Sequence, residues 1–216
     1  MSPIDFGSPE LAPIDVVRLG LKGLAGEYLP GMTRSELGDR AVDLQDLQQQ
    51  FDGIMAATFT EADRAGVPAL SGSRTMAQYL AARTNCSPEI VRAHVRVGRF
   101  ASSFNAIEDA MLDGRLSRQH ADAIRKLENI RVCAALLRDQ HFFVEWAQLL
   151  DWKAFKRACA CWLEVNDQDG VSRFARTSVS ALGAETLNCQ TLERFLRSLR
   201  RRKGGKGASR QARERP

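Results

Sequence analysis

The chain has 216 residues, of which 44% are hydrophobic and 26% are charged, and its formal net charge is +5. These values are ordinary for a globular protein, so neither wholesale disorder nor a fibrous repeat is indicated. No apolar run reaches the roughly 18 residues that a membrane-spanning helix needs. The first residues lack the basic region and apolar core of a secretory signal, so we expect a cytoplasmic protein with no membrane partner.

The first predicted helix follows a segment, residues 1–32, that is punctuated by Pro and Gly and is expected to be flexible. Thr33 and Glu36 have the spacing of a capping box, which marks a helix start. Apolar residues then recur at spacings of three and four up to Gly66 and Pro68, which predicts an amphipathic helix of about thirty residues. Packing within the chain is the favoured role of this stripe, and a homo-oligomer seam is the alternative. The stripe consists of Leu37, Ala41, Leu44, Leu47, Phe51, Met55, Phe59 and Ala62.

Beyond Ser73 the predicted helices are shorter and more regularly punctuated. Residues 75–83, 104–112, 132–150 and 152–165 each read as a helix, and Ser87-Pro88-Glu89 and Ser117 have the character of helix starts. No alternating apolar and polar run of strand length occurs in this stretch. The sequence therefore predicts an all-α protein whose helical domain covers residues 33–170, with the long helix first and a multi-helix bundle of short helices after it.

Two of these helices, joined at RTNCSPEIV, have the spacing of a helix-turn-helix. Ala81, Asn85 and Val91 fall at the small, turn and locking positions, and Asn tolerates a positive φ. The fit is incomplete, because His94 stands where an apolar residue is expected and Glu89 would oppose phosphates. Ordinary helical packing is therefore the favoured interpretation, and DNA reading is the alternative. The nucleic-acid-binding candidates on the second helix are Arg92, Arg96 and Arg99.

The carboxyl-terminal segment, residues 171–216, has a different composition and ends in a basic tail that we expect to be disordered. Ten basic residues and one acidic residue fall between 194 and 216, so this tail carries +9 and residues 1–193 carry −4. Three roles fit such a tail. Neutralisation of DNA phosphates ranks first, a solubilising end without a partner ranks second, and binding to an acidic membrane surface ranks last. Its candidate residues are Arg197, Arg200, Arg201, Arg202, Lys203 and Lys206.

Catalytic, cofactor and metal motifs are not recognisable in the sequence. His94, His120 and His141 are isolated from one another, and the five cysteines lack the spacing of a zinc site. Neither a Gly-rich phosphate loop nor a nucleophile elbow occurs. We therefore expect free thiols, no cofactor, no metal and no enzymatic activity.

The succession SRTMAQYLAARTNCSPEIVRAHVRVGRF, then LDGRLSRQHADAI, then a helical stretch ending in WLEVNDQDG, resembles the 13E12 repeat family, domain of unknown function 222. The similarity covers residues 73–170, with the long helix from Thr33 as the usual upstream element. Its most specific parts are Ala82-Arg83-Thr84 running into Ser87, and Gly114-Arg115-Leu116-Ser117 followed by Ala121 and Ile124. These are caps and core positions, so they speak for fold more than for chemistry.

The resemblance implies an actinobacterial, DNA-associated helical module of the kind that often precedes an HNH endonuclease domain. This chain departs from that pattern, because no histidine follows His141 and an HNH centre needs a His base and a metal held by His or Asp. A truncated or frame-altered copy is the corresponding hypothesis. The sequence thus predicts a non-catalytic, DNA-associated helical module. A scaffold or dimerisation protein is the alternative, and a residual HNH-type endonuclease ranks last.

Overall fold

The structure is a computed structural model, and it describes residues 12–167. Across that range it contains α-helices, two short 3-10 segments (Leu29–Gly31 and Val67–Ser71) and no strand, which confirms the all-α prediction. The helices are α1 (Pro13–Ala25), α2 (Arg34–Arg64), α3 (Met76–Thr84), α4 (Pro88–Ala101), α5 (Asn105–Leu112), α6 (Arg118–Arg125), α7 (Cys133–Leu149) and α8 (Trp152–Asn166). The chain divides into two compact units, Met1–Gln45 and Asp46–Pro216.

The first unit contains a helix that the sequence interpretation missed. Residues 1–32 were expected to be a flexible segment, yet Pro13–Ala25 is helical, and that expectation is wrong for this stretch. Pro13 occupies the first turn, where its missing N–H costs nothing, and Ile14, Val17 and Leu21 follow at spacings of three and four. Gly20 lies inside the helix and does not end it. Glycine lowers helix propensity by only about 1 kcal/mol, so periodicity was the better guide.

The long helix α2 begins at the predicted capping box. Glu36 Oε2 accepts a hydrogen bond from the backbone N–H of Thr33 at 2.7 Å, and Thr33 Oγ1 accepts one from the backbone N–H of Glu36 at 3.3 Å. Later in the first unit, Arg40 pairs with Glu27 and donates to the carbonyl of Leu24 at 2.7 Å, near the end of α1. The C-terminal end of α1 and the N-terminal end of α2 are therefore closed by polar side chains.

The buried face of α2 matches the predicted apolar stripe only in its second half, where Phe59 and Ala62 are partly buried against residues of α3 and α4. Its buried residues are Gly53, Ala56 and Thr60, whereas Leu37 and Leu47 are exposed. Small residues are buried here because neighbouring helices approach the backbone of α2 closely. A methyl group on Gly53 would lie 2.2 Å from the carbonyl oxygen of Met111 in α5.

The core of the second unit lies among the short helices. In the described chain α4 packs against α3, α5 and α6, while α7 packs against α5 and α8. Fully buried side chains from these helices and from the connections between them fill the centre, and they include Phe104, Ile107, Leu116, Ile124, Leu136, Phe143 and Phe155. A smaller cluster, formed by Met76, Ala77, Val91 and Val95, joins α3 to α4.

Candidate functional site

The predicted helix-turn-helix segment folds as a pair of packed helices, α3 and α4. Asn85 ends α3 with φ 52°, the left-handed conformation expected of the turn residue. Ser87 caps α4 by accepting the backbone N–H of Glu89 at 3.3 Å, and Val91 is buried between the helices. This local geometry is common to many α-helical proteins, so it fixes the orientation of α4 without showing what α4 binds.

Arginines occupy the exposed face of α4. Arg92, Arg96 and Arg99 follow one another at spacings of three and four, and all three are exposed. Such spacings place side chains on the same side of a helix. The structure therefore brings together the three candidate arginines of this helix.

These arginines line a groove with a volume of about 740 Å³. The end of α2, the start of α3, the exposed face of α4 and the end of α6 form its walls, and Val95 and Phe100 contribute apolar atoms. Five arginines and two carboxylates line the groove, which gives the lining a net formal charge of +3. We call it the arginine groove. Its charged residues are Arg74, Arg92, Arg96, Arg99, Arg125, Asp63 and Glu128.

Only some of these arginines have a carboxylate partner. Arg92 pairs with Glu89, and Arg99 pairs with Asp63. Arg125 pairs with Asp122 within α6 at 3.0 Å. The side chains of Arg74 and Arg96 form no ion pair with any residue between 12 and 167. An incoming anion can therefore interact with these two guanidinium groups without breaking a pair.

Asp63, near the end of α2, holds one side of the arginine groove together. One carboxylate oxygen pairs with Arg99 of α4, and the other accepts the backbone N–H of Met76 at 3.4 Å. Its side chain is 18% exposed, whereas that of Arg99 is 65% exposed. The carboxylate thus lies inside the groove wall, and the guanidinium lies at its solvent side.

A second polar cluster fixes α4 and α6 against α2. The ring of His94 is buried, with Nδ1 2.8 Å from the carbonyl oxygen of Ile90 and Nε2 2.9 Å from Oδ1 of Asp52. Nε of Arg118 lies 3.7 Å from the other oxygen of Asp52. His94, which stands at an expected apolar position, is thus buried with each ring nitrogen within hydrogen-bond distance of an oxygen atom.

Arg74 and Arg125 were not among the candidates read from the sequence. Arg74 immediately precedes the Thr75 cap of α3, and Arg125 ends α6, so neither belongs to the α4 pattern. They reach the groove because α3 and α6 both pack against α4, a long-range relationship without a local sequence signal. The tail candidates Arg197, Arg200, Arg201, Arg202, Lys203 and Lys206 lie outside the described residues.

Other kinds of site receive little support from the part of the chain that is described. Between residues 12 and 167, no group of three or more His, Cys, Asp and Glu side chains is arranged to hold a metal ion. A second groove, of about 560 Å³, includes Arg115, His141 and Glu145 and has mixed charge. None of the described helices combines the length and the apolar character needed to cross a bilayer.

Comparison with protein-family models gave no match, and comparisons with curated proteins and with solved structures gave none either. The resemblance to the 13E12 repeat family therefore stays a prediction from the sequence.

Proposed function

We propose that this chain is a non-catalytic, DNA-associated helical module that binds the phosphate backbone through the arginine groove. The observation that carries the proposal is the convergence of five arginines from three segments on one concave surface with a net charge of +3. Guanidinium groups donate several hydrogen bonds in a planar fork that matches phosphate oxygens. The proposal agrees with the role implied by the 13E12 resemblance, and we expect the protein to act in the cytoplasm.

Arg74 and Arg96 contribute most to this proposal, because they form no ion pair among residues 12–167. A phosphate that binds Arg92 or Arg99 competes with a carboxylate already present, whereas binding at Arg74 or Arg96 does not. Each phosphate neutralised by an arginine releases condensed counterions from DNA, which makes binding depend strongly on salt. The groove contacts carry no base information, so we expect little sequence preference.

Substitution of the two unpaired arginines tests the proposal. We expect the Arg74→Ala, Arg96→Ala double variant to bind a short fluorescein-labelled DNA duplex at least about tenfold more weakly than wild type at low salt. Fluorescence anisotropy with the full-length protein measures the affinity. Arg115→Ala is the matched control, since Arg115 is exposed, pairs with Asp113 at 2.8 Å and lies in the second groove.

The control variant should bind within about twofold of wild type, because one charge outside the contact surface is largely screened. Equal affinities for wild type and the double variant would contradict a role for the groove. Binding that disappears only when Arg200, Arg201, Arg202 and Lys203 are replaced by Gln would assign the interaction to the basic tail.

A scaffold or dimerisation role is the second candidate, and the first unit supplies the observation that favours it. None of the described residues of that unit is buried, and the side chains of Leu19 and Val42 are more than half exposed. An association surface needs exposed apolar side chains, and these helices supply them. If this candidate holds, wild type forms an oligomer in sedimentation equilibrium, and the Leu19→Gln, Val42→Gln variant should dissociate to monomers. The Leu70→Gln control, at an isolated exposed position, should not.

A monomeric wild-type protein across micromolar concentrations would remove this second candidate. The two candidates are compatible with each other, since they rest on different residues of the chain. No observation favours a residual HNH-type endonuclease, and we propose no hydrolytic step.

A further inference from the structure

The arginine groove contains its own anion. The carboxylate of Asp63 pairs with Arg99 and accepts the backbone N–H of Met76, so it occupies donors that face the groove. A phosphodiester group offers the same negatively charged oxygens and would seek the same donors. Carboxylate and phosphate therefore compete for Arg99.

We propose that Asp63 is the residue that limits the affinity of the groove for nucleic acid, by neutralising Arg99 and repelling phosphate until an incoming phosphodiester displaces it. This inference rests on the proposed function and names the residue that tunes it. Asp63 is well placed for the role because its carboxylate lies inside the groove wall while the Arg99 guanidinium remains largely exposed.

The electrostatic consequence has a definite sign. Removal of the Asp63 charge raises the net formal charge of the groove lining from +3 to +4 and leaves Arg99 without its carboxylate. At the separations within such a groove, one unit charge changes the affinity for a phosphate by about three- to tenfold at low salt. If the Asp63 carboxylate served only to orient Arg99 toward phosphate, its removal would instead weaken DNA binding.

Asp63→Asn tests the proposal in the full-length protein, with the same labelled DNA duplex as probe. Asparagine keeps the size of the side chain and an oxygen that can accept the Met76 N–H. We expect the dissociation constant to fall about three- to tenfold at low salt. Glu61→Gln is the matched control, because Glu61 lies two residues earlier in α2, pairs with Arg64 at 2.8 Å and does not line the groove.

The Glu61→Gln variant should bind within about twofold of wild type, since its charge lies outside the groove and is screened. In the double variant Asp63→Asn, Arg99→Gln, most of the increase in DNA affinity caused by Asp63→Asn should disappear, because that increase comes from competition for Arg99. This dependence separates local competition from a general increase in net charge.

Each outcome has one meaning. If Asp63→Asn binds as wild type or more weakly while Arg74→Ala, Arg96→Ala still weakens binding, the proposed function stands and the role of Asp63 is overturned. If the double variant binds as wild type, or if the wild-type protein does not bind the duplex, the proposed function fails and this inference fails with it. A thermal melt of Asp63→Asn confirms that the variant is folded during the titration.

Discussion

Gly98 of α4 lies directly against the backbone of Ala56 in α2. A methyl group on Gly98 would lie 2.2 Å from the carbonyl oxygen of Ala56 and 2.2 Å from Oγ1 of Thr60. A side chain of any size is therefore excluded at this crossing. The same two helices carry Asp63 and Arg99, so this approach sets the distance between two charged residues of the arginine groove.

The first prediction concerns this crossing. Gly98→Ala should lower the free energy of unfolding by about 1–3 kcal/mol or more, because the clash is with backbone, which can move only with its helix. Gly38→Ala is the control, since a methyl group there meets no atom within 4 Å. Gly38 lies in the same helix α2, and its substitution should raise stability by about 0.5–1 kcal/mol. Urea denaturation measures both, and similar stabilities for the two variants would refute the close crossing.

The helix boundaries could largely be predicted from the sequence, because they depend on local hydrogen bonds. Thr33 with Glu36, Ser87 and Ser117 each cap the helix that the sequence assigned to them. Asn85 likewise adopts the positive φ expected of it. Such features involve residues only a few positions apart, so a single sequence is enough to indicate them.

The groove could be predicted only in part, because its walls come from distant segments. The α4 pattern identified Arg92, Arg96 and Arg99, which share a face by helix geometry alone. Arg74 and Arg125 belong to other elements, and no local pattern shows that α3 and α6 pack beside α4. Part of the buried face of α2 was missed for a related reason, since Gly53 and Ala56 are buried by close helix approach and not by their own hydrophobicity.

The second prediction concerns a buried carboxylate between α7 and α8. Oδ2 of Asp139 accepts the indole N–H of Trp162 at 2.9 Å, and Arg138 donates to both carboxylate oxygens at 2.7 Å. Asp139→Ala leaves the buried indole N–H without an acceptor and should cost about 1–3 kcal/mol of stability at neutral pH. Asp113→Ala, which removes an exposed pair with Arg115, should cost under about 1 kcal/mol.

The same carboxylate contributes to acid denaturation. The hydrogen bonds from Arg138 lower the pKa of Asp139, and the Trp162 indole adds to this effect. Because the pKa of Asp139 is lower in the folded chain than in the unfolded chain, the ionised carboxylate stabilises the fold at pH values above the unfolded pKa of about 4. This stabilisation is lost as the pH falls towards and through the pKa of the folded state. Asp139→Asn should therefore lose less stability than wild type when urea midpoints at neutral pH and at about pH 3 are compared. An unchanged loss would argue against the pairing.

The third prediction concerns His120 in α6. Its ring packs edge-on against Trp152 and Phe155, with centroid separations of 5.2 Å and 4.6 Å, and burial lowers its pKa. Below the unfolded pKa of about 6.5 the unfolded chain binds a proton that the folded chain resists, so stability falls. His120→Gln should weaken this loss between about pH 7 and pH 5.5. His141→Gln, at an exposed position of α7, is the comparison variant, and identical profiles for both variants would contradict the account.

The fourth prediction concerns thiol reactivity. Burial raises the pKa of Cys159 to about 12, whereas Cys133 is exposed at the start of α7. The thiolate is the reactive form, so iodoacetamide at about pH 8 should modify Cys133 well before Cys159 in the folded protein. Peptide mapping by mass spectrometry follows both sites. Equal rates in the absence of denaturant would show that Cys159 is not buried.

The salt dependence of DNA binding tests the proposed phosphate-binding role of the arginine groove most directly. The slope of log affinity against log salt counts the phosphates that the protein neutralises, at about 0.9 for each phosphate of duplex DNA. The account predicts that Arg74→Ala, Arg96→Ala lowers the magnitude of this slope by about 2 in the full-length protein, and that Arg115→Ala leaves it unchanged. A slope identical for the double variant and wild type would contradict the account.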